Sequence, residues 1–358
     1  MSGIEICCYN GNQKEWNDFV ENHPEGRFFQ LIGYKQAIEQ TYGYEGLYYI
    51  FKRNSEIIAL LPSFKLNSVI SGKRLLSLPF AEYGGLLGNN LSLEELYQIS
   101  ELLQQVLLDN KFPFLEIHGG LGINPELMSK IFYTVPMYQY AILPLGNAKD
   151  IWDHSVDYQV RKAVRKAQKA NLVAYEQTTE ESIIKKFYPL YLLSMKRLGT
   201  PPHPSRLFLN YLNFLSDNMK LFLVDDKDAT IAALLGFVLG KRVHIIHIAS
   251  DPKHWDKRPN DLVHWTFIEW ACENSYEIFD FAIIRYDGQQ RYKDKWGVQK
   301  FNYSYYYLLS KEKNKKYITP VDPSVRQSIR LFSWFWKSCV PICLSETLGF
   351  PIRKQLGR

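Results

Sequence analysis

The sequence has few of the residues that cross-link a chain or bind metals. It contains only five cysteines, and no two of them are spaced as in CxxC; they are Cys7, Cys8, Cys272, Cys339 and Cys343. The eight histidines are scattered singly. This pattern argues against a disulfide framework and a structural zinc site, so we expect no metal and a reducing, cytoplasmic environment.

Long apolar runs and a basic leader are also missing. No stretch reaches about 18 uninterrupted apolar residues, which is the length that would predict a membrane-spanning helix. The start, MSGIEICCYNGNQKEW, lacks a basic segment followed by an apolar one, so we expect no signal peptide.

A net positive charge is found only at one end of the chain. Residues 311–358 contain ten Lys/Arg and three Asp/Glu, a balance of +7, whereas the whole chain carries +6. The other 310 residues therefore sum to −1, which argues against a general nucleic-acid binder.

The chain of 358 residues is long enough for two domains, and its two halves repeat one order of predicted elements. In each half, helical segments precede a hairpin, a further strand, a helix and a last strand, and the hairpins EIIALLPSF (56–64) and ATIAALLGF (229–237) are alike. The first-half helix begins at Ser92, with Glu95 completing a capping box. We predict a duplicated α/β unit with mixed sheets, with boundaries at 1–150, 151–310 and a basic-aromatic tail at 311–358.

A polar connection rich in charge and aromatics lies at 285–297, between the predicted buried strands 278–284 and 301–309. Connections mounted between core strands often carry catalytic groups, although a solvated loop has the same composition. Arg161, Arg165 and Lys169 follow a spacing of four, so one face of a predicted helix is basic. That face either is solvated or binds substrate phosphates.

Several segments together resemble the FemAB-type family. They occur in family order over nearly the whole chain, and they are WNDFVENHPEGRFFQ, SGKRLLSLPFAEYGGLL, QVRKAVRKAQKANL, FYPLYLLSMKRLGTPPHPSR, RPNDLVHWTFIEWACENSYEIFDFAI and RYKDKWG. The resemblance implies two fused GNAT-like acyltransferase domains that move an amino acid from aminoacyl-tRNA to an amine of a peptidoglycan precursor. The ending PSVRQSIRLF…VPICLSETLGFPIRKQLGR is similar to the branch associated with exosortase-linked surface polysaccharide systems.

The resemblance also implies roles for individual residues. Lys293 matches the family lysine, and we expect it to stabilise the oxyanion formed during acyl transfer. Arg197 is expected to bind the phosphates of the acceptor, with Lys35 as a weaker counterpart in the first domain. Tyr83 is expected to line the cleft between the two domains. The remaining substrate-binding candidates lie in the 285–297 connection and are Arg285, Asp287, Arg291 and Tyr292.

Two features of this connection depart from the family pattern. It is poorer in glycine, with Tyr292 in place of a phenylalanine, and the spacing from Phe281 to Arg285 is about one residue short. The general base stays open, because Asp287, water or a substrate carboxylate can each accept the proton.

The acyl donor is either aminoacyl-tRNA or acyl-CoA. A CoA site usually has a glycine-rich turn at a helix N-terminus, and 251–261 contains no glycine, which favours aminoacyl-tRNA. The alternatives are an acyl-CoA-dependent N-acyltransferase acting on an amino sugar of a surface polysaccharide, and a non-catalytic binding protein.

The tail combines Trp334, Phe335 and Trp336 with basic residues. It either packs on the second domain or lies on the inner membrane face near a lipid-linked acceptor.

Overall fold

The computed structural model describes residues 3–310 and 323–357 and, for residues 323–326, only the backbone. Its helices are α1 Gln13–Asn22, α2 Ile32–Tyr42, α3 Leu93–Asp109, α4 Pro125–Ile131, α5 Ala148–Asp150, α6 Tyr158–Lys169, α7 Tyr188–Leu198, α8 Ser205–Leu215, α9 Pro259–Glu273, α10 Asp287–Asp294, α11 Pro323–Cys339 and α12 Ile342–Leu356. Its strands are β1 Glu5–Cys8, β2 Glu45–Gly46, β3 Tyr49–Arg53, β4 Glu56–Leu61, β5 Phe64–Ser68, β6 Gly72–Leu76, β7 Leu86–Gly88, β8 Phe114–His118, β9 Gly120–Leu121, β10 Tyr133–Pro144, β11 Val173–Glu176, β12 Met219–Asp226, β13 Ala229–Leu239, β14 Arg242–Ser250, β15 Ile278–Ile284 and β16 Gln299–Leu309. The predicted α/β class with mixed sheets is confirmed.

The described residues form two compact units. The first unit comprises 3–137, 303–310, 323–326 and 353–357, and the second comprises 138–302 and 327–352. The sequence-based boundaries at residues 150 and 310 stay predictions.

The first unit contains two sheets. In one, the strand order is β1-β3-β4-β7-β9, and in the other it is β16-β8-β6-β5-β2. Helix α3 places Leu96, Ile99, Leu103 and Leu107 in the core, following the helical repeat of its sequence. Its predicted capping box at Ser92 is present, since Glu95 N donates to Ser92 Oγ at 3.2 Å.

The second unit has one sheet in the order β11-β12-β13-β14-β15-β10. Helix α9 buries Leu262, Val263, Phe267 and Ile268 in its core. The parallel ladder between β14 and β15 covers three pairs, from Arg242–Ile278 to His244–Asp280. Both strands continue beyond the last pair.

The connection 285–297 differs from the predicted loop, because Asp287–Asp294 forms helix α10. Tyr292 and Trp296 are four residues apart and pack against the core of the second unit. These two apolar residues stand among exposed polar ones, so the sequence shows little apolar spacing. They are sufficient nevertheless, because a helix is held in place by a single apolar face.

The tail helices α11 and α12 contact the second unit. Trp336 is 1% exposed, and Lys196 Nζ donates to the Trp336 carbonyl at 2.8 Å and to the Val340 carbonyl. Glu346 accepts hydrogen bonds from the backbone and hydroxyl of Ser205. The lysine-rich start of the predicted tail, 311–322, lies outside the described residues.

Candidate functional site

A cavity of about 300 Å³ lies at the N-terminus of α9 in the second unit. It is lined by Arg197, Trp255, Arg258, Pro259, Asn260, Asp261 and Tyr292. The site therefore brings together two of the predicted residues, Arg197 and Tyr292.

Local sequence explains how α9 begins here. The Asp251 side chain accepts from Lys253 N and caps a 3₁₀ turn over Pro252–Lys257. Arg258 then takes a left-handed conformation with φ 63°, and Pro259 occupies the first helical turn. A non-glycine residue in this region is strained by about 1–2 kcal/mol. Such strain tends to collect at functional sites.

Asp261 places a buried carboxylate in the cavity. Its Oδ2 accepts from Arg258 Nε at 2.9 Å, whereas its Oδ1 has no hydrogen-bond partner among the described residues. Burial raises the pKa of Asp261, and the Arg258 charge opposes that effect. A carboxylate with an unused oxygen and a raised pKa is suited to accept a proton.

Arg197 supplies positive charge at the same cavity. It is exposed in the last turn of α7, with its guanidinium carbon 4.8 Å from the centre of the Trp255 ring. Trp255 is fixed in turn, because its Nε1 donates to Ser250 Oγ at 2.8 Å. A stacked guanidinium keeps its N–H groups available to an anion, and the N-terminus of α9 adds a positive dipole end.

Tyr292 and His264 form a neutral pair behind the cavity. His264 Nδ1 lies 2.8 Å from the Asn260 carbonyl oxygen, so it carries the hydrogen, and it lies 3.1 Å from Tyr292 Oη. Burial lowers the pKa of His264 to about 4 and raises that of Tyr292. Both groups therefore stay uncharged near neutrality and orient the first turn of α9.

Lys293 lies on β15. It is 7% exposed, and its Nζ donates to the carbonyls of Phe281 at 2.5 Å, Ala282 at 3.1 Å and Ile283 at 2.7 Å. Ala282 has φ 62°, and its N–H donates to Asp280 Oδ1 at 2.9 Å. Lys293 thus binds the carbonyls around Ala282, and Asp280 binds the Ala282 N–H. Together the two side chains hold the kink in β15.

The predicted basic face is present on α6, but its arginines have local roles. Arg161 donates to the carbonyls of Trp152, Asp153 and Val156 at 2.8–3.0 Å. The Arg165 guanidinium carbon lies 5.7 Å from the Trp152 ring centre. Neither arginine lines the cavity.

The other predicted residues also lie outside the cavity lining. Arg285, Asp287 and Arg291 are exposed on and beside α10. In the first unit, Lys35 pairs with Glu39 at 2.7 Å, and Tyr83 is 1% exposed.

No site role was predicted for Trp255, Arg258, Asn260 and Asp261. Residues 251–261 were tested for a glycine-rich turn, and RPND contributed only to the family resemblance. The available signal was Arg-Pro-Asn-Asp, in which a cation and a carboxylate flank a proline suited to the first turn of a helix.

Two features are absent from the described residues. No group of three or more His, Cys, Asp and Glu side chains within them is arranged to hold a metal ion. No helix in that part of the chain has the length and apolarity needed to cross a bilayer.

Comparisons with known proteins agree with this fold. Residues 154–294 match the family model described as an acetyltransferase (GNAT) domain. No curated protein sequence matches the chain.

Three solved structures share the fold. FemX is 14% identical with a TM-score of 0.65, covering 86% of this chain and 98% of its own. The C-terminal domain of a putative lysylphosphatidylglycerol synthetase from Agrobacterium fabrum is 10% identical with a TM-score of 0.54, covering 82% and 91%. A tandem GNAT protein from the clavulanic acid biosynthesis pathway is 8% identical with a TM-score of 0.54, covering 87% and 100%.

Residues 154–294 are therefore a GNAT-type domain, and the chain is an acyltransferase. Its fold is that of FemX, and the resemblance to the FemAB-type family is confirmed.

Proposed function

We propose that this acyltransferase transfers an aminoacyl group to an amine of a cell-envelope precursor, with the reaction in the second unit. The observation that carries the proposal is the α9 cavity, where two arginines and a helix N-terminus lie beside a buried carboxylate with an unused oxygen. These groups supply anion binding and proton removal, both of which acyl transfer to an amine requires.

Arg197, Arg258 and the first turn of α9 would bind a phosphate or carboxylate of one substrate. Arg197 is the stronger candidate, because Arg258 is already paired with Asp261. In this role Arg197 positions a substrate and does not take part in bond making.

Asp261 would act as the general base. Its Oδ1 accepts a proton from the acceptor ammonium, and the freed amine nitrogen attacks the acyl carbonyl carbon. A C–N bond forms, the C–O bond of an ester donor or the C–S bond of a thioester donor breaks, and the leaving oxygen or sulfur takes a proton. The assignment of Asp287 as base competes with this one.

The oxyanion role of Lys293 stays a prediction. Its ammonium has three N–H groups, and the three carbonyls of β15 accept from it. To stabilise an oxyanion, Lys293 would have to give up one of these carbonyls. The contacts support a second role, in which Lys293 positions the kinked strand beside the cavity.

The nature of the donor separates the leading proposal from its alternative. The family resemblance and a neighbour named for lysylphosphatidylglycerol support an aminoacyl donor. The GNAT family model and a neighbour whose name refers to AcCoA support an acyl-CoA donor. The amino-sugar acceptor of that alternative stays a prediction. A cytoplasmic location, peripheral to the inner membrane face, would suit a lipid-linked precursor.

The direct experiment incubates purified protein with envelope precursors and either charged tRNA or acyl-CoA, followed by mass spectrometry of the acceptor. We expect an added aminoacyl residue with charged tRNA. A mass increase with acyl-CoA alone would select the alternative, and precursor binding without transfer from either donor would indicate a binding protein.

Variants then test the site. We expect Asp261→Asn to lower kcat by about 10²–10⁴-fold, because the amide cannot accept the proton. The matched control is Asp228→Asn, since Asp228 is exposed in the turn between β12 and β13. Full activity of Asp261→Asn together with loss in Asp287→Asn would move the base to Asp287.

Arg197→Glu should raise the KM of the anionic substrate far more than it lowers stability, because Arg197 is exposed. Arg197→Lys should give an intermediate KM, since lysine keeps the charge but loses the planar fork. An unchanged KM in Arg197→Glu would remove Arg197 from the site.

A further inference from the structure

The tail helix α11 has an outward apolar face. Leu331 is 65% exposed, Trp334 66% and Phe335 49%. Single exposed apolar residues are ordinary, but three large ones in one turn of a helix usually mark a binding surface.

Helical geometry separates this face from the side that packs on the second unit. Trp336 and Val340 are four residues apart and are 1% and 4% exposed. Leu331, Trp334 and Phe335 follow the i, i+3, i+4 spacing and point to the opposite side. We call these three residues the tail face.

Helix α12 continues the exposure of apolar residues. Leu344 and Leu348 are four residues apart and are 49% and 44% exposed. Ser345 and Gly349, on the adjacent side, are buried, and a Cβ at Gly349 would lie 2.7 Å from Pro202 Cδ. Each tail helix therefore packs on the protein through one buried side, and its large apolar side chains on the other side are exposed to solvent.

Both charged residues between 327 and the end of α11 are basic. Arg330 and Lys337 are exposed on α11 and flank its apolar residues. Between residues 327 and 357 the sequence contains one carboxylate, Glu346, and Ser205 donates two hydrogen bonds to it. Aromatic and aliphatic side chains bordered by cations match the boundary between anionic headgroups and acyl chains.

We propose that the tail face docks on an anionic lipid surface, with Trp334, Phe335 and Leu331 in the headgroup–acyl boundary and Arg330 and Lys337 on lipid phosphates. The occupant is a bilayer and not a second copy of the chain, because complementary charge for these cations is supplied by lipid phosphates.

The position of α11 connects this surface with the α9 cavity. A Cβ at Gly199 would lie 2.5 Å from the Ser333 carbonyl oxygen, and Gly199 follows Arg197 by two residues. The tail helix therefore packs directly on the end of α7 that carries Arg197. This connection rests on the proposed function, whereas lipid docking itself does not.

The test uses full-length protein in co-sedimentation with vesicles of phosphatidylcholine alone or mixed with phosphatidylglycerol. We expect binding to the anionic vesicles. Trp334→Ser/Phe335→Ser should weaken it by at least about tenfold through lost apolar burial. Arg330→Glu/Lys337→Glu should weaken it by roughly 30-fold or more, since each basic residue near the surface contributes about fivefold.

Tyr97→Ser/Tyr158→Ser is the matched control, because these tyrosines are 54% and 62% exposed elsewhere. Thermal unfolding of all variants confirms that they fold, as expected for exposed positions. Equal vesicle binding by all of them would overturn the proposal, as would equal binding to vesicles without phosphatidylglycerol. A change in oligomeric state in the tail variants, without a change in vesicle binding, would assign the face to a second copy.

An assay of acyl transfer to a soluble acceptor distinguishes the proposed activity from the proposed lipid docking. The tail variants should retain that activity if only docking is lost. Asp261→Asn should lose transfer and keep vesicle binding. Failure of one proposal therefore leaves the other measurable.

Discussion

At the scale of single residues, burial determines the protonation of the groups around the cavity. His264 and Asp261 lie in neighbouring turns of α9, and burial favours the uncharged form of each. Their effects on stability have opposite signs. The native state binds fewer protons at His264 than the unfolded chain does, and it binds more at Asp261.

We predict that acid weakens the fold through His264. Its pKa is about 4 in the folded protein against 6.5 ordinarily, so its contribution is complete above pH 6.5 and is lost as the pH falls through 4. The loss should be on the order of 3 kcal/mol, offset in part by Asp261. Urea unfolding at pH 7 and pH 4.5 measures it.

His264→Phe should flatten this pH dependence while lowering stability at pH 7 by about 1 kcal/mol, because the hydrogen bond to Asn260 is lost. His154→Phe is the control, since His154 is exposed. An unchanged slope in His264→Phe would show that other groups dominate the acid response.

At the scale of elements, the kink in β15 is stabilised by Lys293. An alanine in the left-handed region costs energy that glycine does not, and here one ammonium offsets it by hydrogen-bonding three successive carbonyls. The kink and α10 therefore depend on each other.

A double substitution separates positioning from oxyanion stabilisation. Lys293→Met should lower both activity and stability, the latter by a few kcal/mol, because buried carbonyls lose a charged donor. If Lys293 positions the strand, adding Ala282→Gly should restore part of the stability and of kcat, since glycine adopts φ 62° without strain. If it stabilises the oxyanion, stability alone should recover.

At the scale of the whole molecule, the tail is part of the folded units. In the second unit Trp336 is buried, and in the first unit Arg74 donates to the Leu356 carbonyl at 3.0 Å while its Nε lies 3.2 Å from Glu116. These contacts are not those of an appended segment.

We therefore expect a chain ending at residue 310 to unfold at a lower temperature than the full chain, by several degrees or more. Deleting the tail removes Trp336 and Val340 and also removes the Leu356 carbonyl, one of the acceptors of Arg74. Calorimetry of both chains measures the difference. An equal melting temperature would mean that these contacts add no net stability.

Much of this architecture follows from the sequence, because hydrophobic spacing and caps are local signals. Ser92 and Glu95 fix a helix start within four residues, and the repeated hairpins reveal the duplication. Helix α10 was missed, since its one large apolar side chain, Tyr292, stands among charged and polar residues. Asp261 was missed because its significance depends on burial, and burial of one residue depends on contacts far along the chain.

The left-handed Arg258 has a bearing on how related chains are recognised. It begins, without a glycine, the helix that we propose to face an anion, and it contributes a side chain where glycine would contribute none. A sequence search that recognises such helix starts by their glycines would miss this chain. It would also miss any other chain with a non-glycine residue at this position.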